Sequence, residues 1–177
     1  CGAGLDGTPH LWMGIEPAPR TLQSGQYDVS LGGTISFDFR MAIQAQGAPC
    51  EGPDEVDEGV YLQYSTNGGT VWNTIHYFYP PHYTDGSQHC SSWQNYVFNI
   101  PPAAQTATTQ FRWIQNEISS NSTDHWGMDN VEVSFPNSST ISWDQGLGAG
   151  ANHTVNPTGT ITYTATVTDG VTSCSDA

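Results

Sequence analysis

The chain has 177 residues, with seventeen Asp and Glu against three arginines and no lysine, for a net charge of −14. A general nucleic-acid-binding role is excluded, because phosphate neutralisation requires clustered Lys and Arg. The same shortage of Lys and Arg argues against docking to an anionic membrane surface. Charged residues make up 11% of the chain, against about 25% in a typical soluble domain. A surface dominated by neutral polar residues favours a secreted or cell-surface protein.

The predicted elements are β-strands, and no amphipathic helix is evident. In chain order the strands are Thr34–Met41, Gly59–Tyr64, Val71–Tyr79, Tyr96–Ile100, Gln110–Gln115 and Met128–Phe135. The first alternates, with Ile35, Phe37, Phe39 and Met41 on one face and polar residues on the other. Short strands separated by Gly, Pro and Asn turns predict an antiparallel β-sandwich or barrel.

The composition changes after Phe135, which divides the chain into 1–135 and 136–177. In the second part, threonine occupies every even position from Thr158 to Thr168, which predicts one long strand. Ile141–Trp143 and His153–Val155 predict two shorter strands. A unit of about 40 residues is too short to form its own core. We therefore expect it to continue further, to pack on the first domain, or to be completed by another chain.

Four cysteines are widely spaced and form no CxxC motif, so they favour disulfides over a zinc site. Cys50 and Cys90 both lie in polar, loop-like stretches and are the preferred pair. Cys1 and Cys174 either pair with each other, pair with another chain, or stay free.

Three sequence blocks carry a family resemblance. Leu62–Trp72 reads LQYSTNGGTVW, Phe111–Gln115 reads FRWIQ, and Trp126–Val131 reads WGMDNV. Shorter matches lie at Leu11–Trp12, Arg20–Leu22 and Ile35–Arg40. In this order they make residues 1–135 resemble the reelin sub-repeat, which implies a jelly-roll β-sandwich. Residues 136–177 are similar to the end of a PKD or immunoglobulin-like repeat, and the combination implies a secreted surface adhesin of the Bacteroidetes type.

The resemblance also implies a structural calcium ion, with Asp129 as a ligand and Asp38 as a less certain one. Calcium binds six to eight hard oxygens, which carboxylates and carbonyls supply. A second acidic group either binds another ion or, the preferred interpretation, forms a solvated loop. Its members are Glu51, Asp54, Glu55, Asp57 and Glu58.

An aromatic-rich stretch is the candidate ligand or partner surface, because aromatic rings stack on sugars and anchor interfaces. Its residues are Tyr79, His82, Tyr83, His89 and Trp93. The alternative for the strand part of this stretch is core packing. The nearby Ser65, Asn67, Gly69 and Trp72 resemble an Asp-box, which we interpret as a structural hairpin.

The motifs GxSxG, HExxH and SxxK are absent from the sequence, and we interpret the protein as non-catalytic. The predicted role is extracellular adhesion or surface structure, with other copies or neighbouring domains as partners. Both ends lack strands that the resembled families supply. This pattern indicates either a fragment of a longer chain or a subunit that builds a filament by strand exchange. The alternative function is a carbohydrate-binding accessory module of a secreted enzyme.

Overall fold

The computed structural model describes residues 4–42, 51–80, 92–136, 140–150 and 152–168. The chain divides into two compact units, Cys1–Phe135 and Pro136–Ala177. The first unit contains β1 Leu11–Met13, β2 Arg20–Gln23, β3 Thr34–Met41, β4 Val60–Ser65, β5 Asn73–Phe78, β6 Gln94–Asn99, β7 Gln110–Gln115 and β8 Trp126–Ser134. A 3-10 turn, Pro102–Ala104, precedes β7.

The eight strands of the first unit form two four-stranded antiparallel sheets. One sheet has the order β1-β8-β3-β6 and the other the order β2-β7-β4-β5. These two strand orders are those of the jelly-roll topology. The predicted all-β class and antiparallel sandwich are therefore confirmed. Within the described residues, no helix is long and apolar enough to cross a membrane.

The core lies between the two sheets and is rich in aromatic rings. The four apolar residues predicted to share one face of β3, Ile35, Phe37, Phe39 and Met41, are all fully buried. Phe37 packs edge-on against Trp113 of the opposite sheet, with ring centroids 5.0 Å apart. The alternation in β3 therefore identified the inner face of its sheet correctly.

The two shortest strands of the sandwich were not predicted. β1 and β2 have three and four residues, too few to display an alternating pattern. Each forms by pairing with a longer strand from the end of the unit, β1 with β8 and β2 with β7. Their strand structure thus depends on partners that are distant in sequence.

The second unit is a small antiparallel sheet with the order β10-β9-β11. Its strands are β9 Thr140–Trp143, β10 Gly148–Ala149 and β11 Ala165–Thr168. The predicted strand from Thr158 is wrong before Ala165, and His153–Val155 is not a strand. The physical reason is that β9 has four residues, all paired with β11, so the preceding threonines have no strand opposite them within the described part of the unit.

Candidate functional site

Asp38 and Asp129, the predicted calcium ligands, lie opposite each other on β3 and β8. Asp38 is 6% exposed. Its two carboxylate oxygens accept hydrogen bonds from the side-chain amides of Asn95 at 3.0 Å and Asn130 at 2.8 Å. Asn130 has a positive φ of 49° beside an irregularity in the β3–β8 register, as is common at β-bulges. Asp38 therefore anchors β6 and this irregularity, and its role as an ion ligand stays a prediction.

Asp129 lies beside the loop that precedes β1. One of its oxygens is 3.4 Å from the amide nitrogen of Leu5, and the other accepts a bond from the amide of Asn130 at 2.9 Å. A Cβ atom placed on Gly4 would be 2.3 Å from the carbonyl oxygen of Thr8 and 3.1 Å from Asp129 Oδ2. A carboxylate and a carbonyl oxygen thus converge there, and this donor set is the kind that calcium prefers. The role of Asp129 as a calcium ligand stays a prediction.

The acidic residues before β4 are not all exposed to solvent, as a solvated loop would require. Asp54, Glu55 and Asp57 are exposed, whereas Glu58 is 3% exposed. Glu58 points into the protein, where a carboxylate from another part of the chain, Asp124, also lies. The run is therefore divided into exposed acids and one buried acid with a buried acidic neighbour.

The predicted partner surface is divided between the two sheets. Tyr79, at the end of β5, is 48% exposed and packs edge-on against Tyr77 at 4.7 Å between ring centroids. Trp93 precedes β6 and contacts residues of the other sheet. The remaining members, His82, Tyr83 and His89, lie outside the described residues, as do Cys50 and Cys90 of the predicted disulfide.

The Tyr77 ring is held rigidly on the outer side of its sheet. Its hydroxyl donates to the carbonyl oxygen of Val56 at 2.6 Å and accepts from the amide of Gly59 at 2.9 Å. Burial raises the pKa of Tyr77 to about 12. Tyr61 packs against it across β4 and β5, with ring centroids 4.3 Å apart. Because Tyr77 is held by two hydrogen bonds in the free protein, its ring would lose little conformational entropy on binding a ligand.

Polar groups continue this row of rings along the same face. The guanidinium of Arg112 lies over Trp72, 4.3 Å from the ring centroid, and its Nε donates to Gln63 at 2.8 Å. Arg112 is thus held by an aromatic ring and an amide side chain. We call the whole set the tyrosine face; it consists of Tyr61, Gln63, Trp72, Tyr77, Tyr79 and Arg112.

A second aromatic group surrounds Arg40 on the other sheet. Its guanidinium carbon is 5.3 Å from the ring centroid of Trp12 and 5.2 Å from that of Trp93. His10 packs edge-on against both tryptophans at 5.7 and 5.2 Å. Trp12 donates through its indole nitrogen to His125 Nδ1 at 3.2 Å. Trp93 thus belongs to a packed cation–aromatic cluster, separate from the tyrosine face.

The Asp-box-like turn between β4 and β5 is held by its own side chains. Ser65 Oγ accepts the amide of Gly69 at 3.0 Å, and Asn67 Oδ1 accepts the amide of Val71 at 2.9 Å. These polar groups are used within the turn, as expected for a structural hairpin.

Two buried charged residues were not recognised from the sequence. Arg20 is 1% exposed and Asp124 is 0% exposed. Arg20 donates to the backbone carbonyls of Thr123 and Asp124, both at 2.9 Å. The available signal was weak, because Arg20 begins a strand of only four residues and Asp124 lies in the segment before β8. Their burial depends on contacts between distant segments.

Comparison with known proteins identifies a family for the first unit. A family model described as Reelin subrepeat B matches residues 1–134. Among solved structures, the chain is similar to one described as "EclA C-terminal domain; sugar-binding protein", at 10% identity and a TM-score of 0.30. The match covers 76% of this chain and 89% of that one. So low a TM-score supports no conclusion about this chain.

Proposed function

Because the chain belongs to the Reelin subrepeat B family, we propose that it is a non-catalytic extracellular protein with an adhesive or structural role. Domains of this family are typically extracellular, and the acidic, lysine-free composition supports the same location. The proposal includes a calcium ion at Asp129, a Cys50–Cys90 disulfide, and a second unit related to the PKD or immunoglobulin-like repeats of Bacteroidetes-type surface adhesins.

The observation that carries an assembly role is the unpaired edges of the two sheets. Among the described residues, the edge strands are β1 and β6 in one sheet and β2 and β5 in the other, each paired on one side. An unpaired strand edge is a template for a strand from another chain. Val97 of β6 is 61% exposed, so an apolar side chain lies on this edge. Strand addition between copies, repeated head to tail, would build a filament.

The test is whether the full chain self-associates. Sedimentation velocity and electron microscopy measure this over a range of concentrations. We expect the native chain to form polymers and Val97→Lys to shift it toward monomers, because a charge on an edge strand opposes pairing. Leu31→Lys is the matched control, since Leu31 is also 61% exposed but lies in the loop before β3. A native chain that stays monomeric at every concentration contradicts strand exchange.

A second candidate function, carbohydrate binding, is favoured by the tyrosine face. Its rings supply flat apolar surfaces for sugar rings, and Gln63 and Arg112 supply donors for sugar hydroxyls. This combination supports a glycan ligand more directly than a nucleic acid, which the net charge of −14 disfavours.

Affinity electrophoresis in gels containing neutral polysaccharides tests this candidate. We expect at least one polysaccharide to retard the native chain and Tyr79→Ala to lose about tenfold in affinity, as for an aromatic contact worth roughly 1–2 kcal/mol. Tyr27→Ala is the control, because Tyr27 is 38% exposed and lies in the β2–β3 connection, outside the tyrosine face. Equal retardation of Tyr79→Ala and the native chain would exclude the tyrosine face as the binding surface.

A further inference from the structure

Three carboxylates from two separate segments converge on one point of the first unit. Asp54 and Glu58 come from the segment before β4, and Asp124 comes from the segment before β8. One oxygen from each residue lies within 4.8 Å of the other two. Two oxygens bound to the same calcium ion at about 2.4 Å are at most about 4.8 Å apart. The three side chains are therefore close enough to share one ion; we call them the acid pocket.

The two buried members of the acid pocket are held in place by hydrogen bonds. Glu58 accepts the backbone amides of Asp54 at 2.9 Å and Glu55 at 3.0 Å, and the hydroxyl of Ser119 at 2.6 Å. Burial opposes ionisation of Glu58, but these bonds outweigh burial and lower its pKa. Asp124 Oδ2 accepts the amide of Ser119 at 2.6 Å. Both carboxylates are thus positioned before any ion binds.

Among the described residues, one carboxylate oxygen in the acid pocket has no hydrogen-bond partner. Asp124 is 0% exposed, and its Oδ1 atom is buried without a donor within reach. A buried charged oxygen in this state is unfavourable. Burial raises the pKa of Asp124 to about 6, and the negative charges of Glu58 and Glu51 act in the same direction. Asp124 therefore holds a buried carboxylate oxygen that no hydrogen bond among the described residues satisfies.

The nearest arginine does not satisfy that oxygen through hydrogen bonds. Arg20 directs its donors to oxygens of the backbone and of one amide side chain. Those acceptors are the carbonyls of Glu16, Asn121, Thr123 and Asp124, and Gln115 Oε1. The unpartnered oxygen of Asp124 is left for a different cation.

We propose that Asp54, Glu58 and Asp124 bind a calcium ion, at a site separate from Asp129. The three ligands are hard oxygens, which excludes the softer nitrogen and sulfur set preferred by zinc. Asp54 is exposed, so water can complete the six to eight ligands that calcium requires. The ion would join the segment before β4 to the segment before β8.

The experiment is calcium titration of the metal-free full chain by calorimetry, with thermal melts in calcium and in EDTA. Asp54→Ala removes an exposed ligand with little effect on folding, and we expect calcium affinity at this site to fall about tenfold or more. Glu55→Gln is the matched control, because Glu55 is exposed in the same segment and lies outside the acid pocket. It should bind calcium as the native chain does.

Asp124→Asn provides a second, independent variant. Its amide oxygen can still accept the Ser119 amide, while the buried negative charge is gone. In EDTA at pH 7, we expect the melting temperature of this variant to be no lower than that of the native chain. When calcium is added, the acid pocket of the variant should contribute no increase in melting temperature.

Asp129→Asn separates the two calcium sites. We expect it to remove a binding event that Asp54→Ala retains. The proposal is overturned if calcium leaves the melting temperature of the native chain unchanged. It is also overturned if Asp129→Asn abolishes all calcium binding while Asp54→Ala and Glu55→Gln both bind as the native chain does.

Discussion

His125 illustrates at the residue scale how burial sets a protonation state. It is 1% exposed, and its Nδ1 atom accepts the indole N–H of Trp12 at 3.2 Å. Burial lowers the pKa of His125, and the positive charge of Arg20 lowers it further. The folded protein therefore holds a neutral imidazole, because a protonated Nδ1 cannot accept the bond from Trp12.

The pKa of His125 predicts a loss of stability in acid. Below the ordinary value of 6.5, the unfolded chain binds a proton that the folded chain resists. The free energy of unfolding should therefore fall as the pH drops from 6.5 through the folded pKa. The asparagine in His125→Asn does not titrate in this range, so this variant should lack the part of the acid-induced loss of stability that comes from His125. Chemical denaturation between pH 5 and 8 in EDTA measures the difference, and parallel curves for the two proteins would contradict the prediction.

At the scale of elements, β1 is a three-residue strand that depends on its packing against β8. Trp12 lies opposite Gly127 in the register. A Cβ atom on Gly127 would be 2.6 Å from Trp12 Cε3, closer than real Cβ contacts. Glycine therefore allows the indole to lie directly on the β8 backbone, from which it reaches His125 and Arg40.

Gly127→Ala should displace Trp12 and destabilise the protein by about 1–3 kcal/mol, the usual cost of overpacking. Denaturant unfolding and tryptophan fluorescence measure the two effects. Gly25→Ala is the control, because a Cβ atom there meets nothing within 4 Å. If both variants were as stable as the native chain, the close packing of Trp12 on β8 would not contribute to stability.

For the whole molecule, the surface is more negative than the net charge of −14 suggests, because the arginines are engaged in contacts within the protein. Each of the three arginines is engaged inside the first unit: Arg20 is buried, Arg40 lies between two tryptophans, and Arg112 stacks on Trp72. Most acids among the described residues are exposed. Copies of the protein should therefore repel one another at low ionic strength, and the self-association experiment should be run in physiological salt with calcium.

The strands of the sandwich core were predictable because their signal is local. In β3, every second residue is apolar over eight positions, and the predicted bounds, Thr34–Met41, are those of the structure. The hairpin turn after β4 was equally evident from Thr66–Gly69. In contrast, the threonine alternation before Ala165 resembled a strand but lacked a partner opposite it, so the local pattern was insufficient.

The sequence by itself determined the all-β class, the inner face of β3 and the family of the first unit, because alternation and motif order are properties of neighbouring residues. Tertiary structure alone decided which distant residues meet. Ser119 bonds to Glu58 across 61 positions of the chain and Trp12 bonds to His125 across 113. The acid pocket and the Arg40 cluster arise in this way, because a jelly roll brings strands from distant parts of the unit side by side.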